Sequence, residues 1–159
     1  MIVVDKKNNS LPCMDIKMTN LNQLLASACG NGNLSKVKEL VEQGVDINAD
    51  NHYSIRIAVE IGHLEIVKYL VEQAKDTSYT NYTLNLAAAH GHLEIVKYLI
   101  DKKADIHIGN DSSLRWAAIY GHLEVINYLR SVAGNKWKCF DCIVRATCFT
   151  LCKDWNKNV

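Results

Sequence analysis

The chain has one proline, Pro12, in 159 residues, and no apolar run long enough to span a bilayer; a helical span needs about 20 such residues. Met1-Ile2-Val3-Val4 runs straight into Asp5-Lys6-Lys7, which leaves no room for the apolar core of a secretory signal. The expected location is therefore the cytoplasm, where the six cysteines are read as reduced thiols rather than a disulfide framework. An excess of positive charge is lacking too. Lys and Arg number 18 against 17 Asp and Glu, a net charge of +1 that argues against a nucleic-acid groove. No phosphate-cradling glycine loop, Gly-x-Ser-x-Gly or His-Glu-x-x-His is present. These absences predict a protein that is not an enzyme and needs no cofactor. At 48% apolar and 22% charged residues, the composition suits one ordinary globular domain.

What is present is repetition. Residues 62–70 read GHLEIVKYL, and residues 91–99 repeat the phrase verbatim. It returns as GHLEVINYL at 121–129 and, blurred, as GNLSKVKEL at 32–40. The leading glycines stand 30, 29 and 30 residues apart, a period that implies a stacked solenoid. Leu64, Val67, Leu70 and Val71 share one helical face, with Glu65, Lys68 and Glu72 on another. Each copy therefore predicts an amphipathic helix, with Gly62 in the tight turn ahead and Glu65 in the dipole-favoured first turn. A second phrase comes before each glycine: Ile55-Arg56-Ile57-Ala58-Val59, Leu84-Asn85-Leu86-Ala87-Ala88 and Leu114-Arg115-Trp116-Ala117-Ala118. Leu25-Ala26-Ser27-Ala28-Cys29 holds that place in the first unit, and the closing small residues let a first helix lie close to its neighbours.

This pattern resembles the ankyrin repeat, over residues 21–133. The units run 21–48, 49–78, 79–107 and 108–133, after a polar lead (1–20) and before a Cys-rich tail (134–159). The usual period is about 33 with a T-P-L-H-x-A signature. Here the Thr-Pro pair reads Tyr53-Ser54, Tyr82-Thr83 and Ser112-Ser113, and the signature His is Arg56, Asn85 or Arg115. The missing residues fall in the finger linker, so short or irregular fingers are expected. The resemblance implies an all-α solenoid of helix-turn-helix units and a monomeric protein-interaction module whose concave face meets a protein partner, with no nucleic acid or membrane involved. In the family the two residues before the turn glycine face that side: Glu60 and Ile61, Ala89 and His90, Ile119 and Tyr120. The candidate contacts are Arg56, Glu60, Ile61, Asn85, His90, Arg115, Ile119 and Tyr120. The shortened units, with LRWAA in place of LHLAA, look like the ankyrin proteins of giant DNA viruses of amoebae, which implies a host protein as partner. Residues 40–48, LVEQGVDIN, resemble the segment that asparaginyl hydroxylases modify, which would make Asn48 a substrate.

Asn20 with Gln23 reads as a helix N-cap and its capping-box partner. Lys36 and Glu39 stand where later units have Ile66 and Tyr69, so the first unit is read as the amino-terminal cap. Tyr69, Tyr98 and Tyr128 are expected to pack between second helices, beside a solvated back face carrying Glu65, Lys68, Glu94 and Lys97. His63, His92 and His122 recur once per unit, too far apart to share a metal when stacked helices lie about 8–10 Å apart. They predict a turn or N-cap role, as Asn33 does in the first unit, while His52, His90 and His107 are expected to be solvated.

Four cysteines crowd the tail as Cys139-x-x-Cys142 and Cys148-x-x-x-Cys152. That spacing raises an alternative function, a metal- or redox-responsive protein acting through a zinc-binding cluster. Only five residues separate the pairs, and on one helix they would point to opposite faces. Carrying the register forward sets Cys148 where Cys29 stands in the first unit, which favours a degenerate fifth unit serving as a cap. The test is direct. Cys139→Ser with Cys142→Ser should leave the thermal transition unchanged, as should a chelator; stoichiometric zinc whose removal lowers the transition would favour the alternative.

Overall fold

The computed structural model describes residues 13–74 and 79–133. They form eight helices: α1 (Cys13–Gly30), α2 (Leu34–Glu42), α3 (Ala49–Ile61), α4 (Leu64–Gln73), α5 (Thr80–Ala89), α6 (Leu93–Asp101), α7 (Ile108–Tyr120) and α8 (Leu123–Ala133). No strand occurs among the described residues. Each repeat is an α-hairpin. The first helices α1, α3, α5 and α7 stack in one layer, and the second helices α2, α4, α6 and α8 in another.

Every hairpin closes alike. Gly62 has φ 93°, and the next residue, His63, donates its backbone N–H to the Ala58 carbonyl at 2.9 Å. His92 to Ala87 and His122 to Ala117 repeat that bond at 3.0 and 2.9 Å. This is the Schellman closure, which needs a left-handed residue after the helix and so selects glycine. The accepting alanine is the first small residue of the preceding phrase. The closing turn therefore ties the two repeated phrases together.

The core follows the repeat. Ile55, Ala58 and Val59 from α3 and Ile66, Val67 and Leu70 from α4 are buried, as are Leu84, Ala87, Ala88, Ile95, Val96 and Leu99 one unit later. Leu64 and Val71, expected on the core face, are only half-buried, while Ile66 is fully buried. In the first unit Lys36 stands at the position of Ile66, stays partly exposed and pairs with Glu39 at 2.8 Å. The N-cap reading of Asn20 is corrected. α1 begins at Cys13 and runs through Asn20, because no helix-breaking residue stands between Pro12 and Gly30.

The finger linkers are irregular in a specific way. Asp50, Asn51 and His52 adopt left-handed backbone angles in succession, and Gly109, Asn110 and Asp111 do so two units later. An ordinary L-residue loses roughly 1–2 kcal/mol there, and Asn, Asp and His tolerate it best. Local bonds support the turn: Asp46 Oδ1 accepts from Asn48 N, and Asp105 Oδ1 from His107 N, each at 2.9 Å.

The recurring histidines do more than the sequence reading assigned them. Asn33 is a true N-cap, accepting from Lys36 N at 3.0 Å, but His63 and His92 make no side-chain cap bond. Each ring reaches back one unit, and Nε2 lies 3.2, 2.9 and 2.8 Å from the carbonyls of Gly30, Glu60 and Ala89. A Cβ on Gly62 would stand 2.6 Å from the His92 ring, whereas a Cβ on Gly121 would meet nothing within 4 Å among the described residues. Gly121→Ala should therefore cost only the left-handed strain of roughly 1–2 kcal/mol, and Gly62→Ala distinctly more. Urea unfolding of both variants checks this, and equal losses would contradict the packing of the histidine ring on the preceding glycine.

Candidate functional site

The last turn of each first helix lies outside the core, and the residues there differ between units. Ile61, Ile119 and Tyr120 are exposed at 52%, 48% and 59%, and Glu60 and His90 are exposed beside them. Trp116 precedes Tyr120 by four residues, the spacing that makes helix side chains neighbours. Their rings stack at 6.0 Å and 13°, with Trp116 itself 42% exposed. The sequence reading did not single out Trp116, because its equivalents Ile57 and Leu86 are half-buried aliphatics. An aromatic in an aliphatic row was the available signal.

Arg56, Asn85 and Arg115 occupy one register position, yet their surroundings differ. Asn85 Oδ1 accepts from Ser112 Oγ at 2.8 Å and Ser113 Oγ at 2.6 Å, which closes α5 onto α7. Arg115 Nη2 donates to the Gly109 carbonyl at 3.1 Å, holding the left-handed linker to its own helix. Arg56 has its guanidinium carbon 5.3 Å from the Tyr82 ring centre, and its Nε is buried without a hydrogen-bond partner among the described residues. His52 Nδ1 is also buried without one. Such an orphaned polar atom costs about 1–3 kcal/mol, more when charged.

Arg56 and His52 line a cleft of about 190 Å³ with Asn51, Tyr79, Tyr82 and Thr83. The expectation that His52 is solvated is thereby corrected. It is half-buried, with its ring 5.1 Å from that of buried Tyr79, because the left-handed turn folds it against the next unit. His90 is exposed and stacks on His92 at 6.1 Å; His107 is exposed and meets Asp111 at 2.8 Å. Asn48 is half-buried at the start of the linker.

The opposite layer is plainer. Lys68 pairs with Glu65 at 2.8 Å and Lys97 with Glu94 at 2.7 Å, exposed pairs that water and salt screen. Tyr98 donates its hydroxyl to the Lys68 carbonyl at 3.3 Å; burial, helped by nearby Glu72, pushes its phenol up to about 12. Burial likewise pushes the Cys29 thiol up to about 12. Among the described residues no His, Cys, Asp and Glu cluster could hold a metal ion. Cys139, Cys142, Cys148 and Cys152, with the zinc reading they carry, lie outside the described residues.

A family profile for ankyrin repeats, in three copies, matches residues 5–81, 24–110 and 56–139. The chain belongs to the ankyrin repeat family. One ankyrin repeat protein of Acanthamoeba polyphaga mimivirus is 43% identical over 51 residues, 32% of this chain and 8% of the relative. A second from that virus is 45% identical over 72 residues, 45% of this chain and 12% of the relative. The matched stretches thus span about a tenth of these relatives. Ankyrin repeats generally serve as protein–protein interaction modules and typically as scaffolds without enzymatic activity. No helix among the described residues is long and apolar enough to cross a membrane.

Inside this ankyrin stack Cys29 should be inert, since the thiolate is the reactive form and burial suppresses it. At about pH 8, where a free thiol is partly ionised, iodoacetamide should leave Cys29 unlabelled in the folded protein and label it in denaturant. Peptide mapping by mass spectrometry reads the outcome.

Proposed function

We propose that the protein binds a protein partner across its first-helix face, the face that ankyrin proteins present as concave, with Trp116, Ile119 and Tyr120 as the central anchors. The observation that carries this reading is the stacked, half-exposed Trp116–Tyr120 pair beside Ile119. None of the three is needed on that side for the hairpin core, which α7 and α8 complete with Ala117, Val125, Ile126 and Leu129. Exposed apolar clusters of this kind mark interaction sites, and aromatic anchors usually dominate the energy of an interface. Ile61, Glu60 and His90 extend the surface along the stack, and Arg56 and Arg115 supply positive charge beside it. Asn85 serves the contact between units, its carbonyl being engaged by Ser112 and Ser113. The likeness to mimivirus ankyrin repeat proteins supports a viral origin and a host protein as the partner; we infer that the protein acts as a monomer in the host cytoplasm.

Affinity capture from amoebal lysate, with mass-spectrometric identification, would supply the partner for quantitative binding. Trp116→Ala and Tyr120→Ala should each weaken binding by about 2 kcal/mol or more. Lys97→Ala, in the second-helix layer, should leave it unchanged. The reverse pattern would put the interface on the other layer and overturn the reading.

A further inference from the structure

We infer that the cleft between α3 and α5 is a socket for one carboxylate side chain, an aspartate or glutamate of the partner that docks on this face. The inference rests on the docking reading above and adds the chemistry of one contact. Arg56, Asn85 and Arg115 share a register position, so the stack offers its own internal comparison. Between the third and fourth units that level is closed, since Asn85 Oδ1 accepts both serine hydroxyls. Between the second and third units Arg56 stands in place of Asn85, and Tyr82 and Thr83 in place of the serines. Thr83 Oγ1 is turned to the Tyr79 carbonyl at 2.9 Å, leaving Arg56 Nε without an acceptor. His52 Nδ1 stands unpartnered in the same lining, and Asn51 lies exposed within it.

The lining therefore offers a guanidinium, an imidazole nitrogen and an amide, and among its described residues no acid. Arg56 takes part in none of the ion pairs among the described residues. At about 190 Å³ the cleft is smaller than the roughly 300–1,000 Å³ of small-molecule pockets, and it suits a single side chain. Its ring walls, Tyr82 under the guanidinium and Tyr79 beside His52, flank both groups. A carboxylate accepts from the planar Arg fork in paired bonds; an amide turns one of its N–H groups against those donors.

The test uses the full chain and two probes, N-acetyl-glutamic acid α-methylamide and its glutamine counterpart. The Arg56 Nε–Hε and His52 ring signals are followed by NMR, with Arg56 assigned through Arg56→Lys. The glutamate probe should shift both signals saturably in the millimolar range, and the glutamine probe should bind about tenfold more weakly or worse. Arg56→Lys, which keeps the charge but not the fork, should lose most of the response. No shift, or equal shifts from both probes, would overturn the socket. So would an Arg56 signal that moves in Asp76→Asn without any probe, because the carboxylate would then come from this chain. A null titration alongside partner binding that still depends on Tyr120 would remove the socket and leave the docking face standing.

Discussion

The fold depends on how one hairpin sets its distance from the next, and the Gly–His pair performs that task. The glycine turns the chain in the left-handed region and leaves a gap where a Cβ would be. The histidine of the following unit fills that gap and reaches a backbone carbonyl two residues before the glycine. One dipeptide thus closes its own hairpin and accepts the next. A solenoid has contacts only between neighbours, so its shape is the sum of such steps. Hydrophobic burial supplies most of the driving force, but it is non-directional. The hydrogen bond to a defined carbonyl turns a greasy stack into one with a set register.

Other polar contacts between units act on top of this latch, and they are unequal. Tyr98 reaches the Lys68 carbonyl, and Asn85 joins the two serines. Those bonds knit the third unit to its neighbours. At the first-helix level between the second and third units, the equivalent position holds a cation with an unsatisfied donor. Regular repetition supplies rigidity, and the departures from it supply distinct surfaces. The left-handed linkers belong to the same logic, since a short finger leaves His52 folded against Tyr79 and makes one wall of the cleft.

The apolar cluster on α7 has a related origin. Ile57 and Leu86 are half-buried in the middle of the stack, while Trp116 at the same register stands more open. Leu123 is 52% exposed where Leu64 and Leu93 are half-buried. Burial thus varies along a row as well as between rows.

Much of this was legible in the residues alone. The glycine spacing, the repeated phrases and the small pair before each turn determined the helix pairs, their order and most of the core, because period and burial are local consequences of one chain segment. The sequence also marked the first unit as different through Lys36 and Glu39. It misled at Asn20, where a capping pattern sits inside a helix that nothing interrupts. It was silent on what the recurring histidines touch, because their partners lie 32 or 33 residues away and are backbone atoms, which carry no residue identity. The cleft at Arg56 and His52 was likewise hidden. Arg56, Asn85 and Arg115 look alike as surface variants in a repeat, and only the packing of one hairpin on the next decides that Asn85 is satisfied, Arg115 ties down its own linker and Arg56 is left open. Sequence determined each unit; the contacts between units, made from atoms a whole period apart, were decided by the tertiary structure.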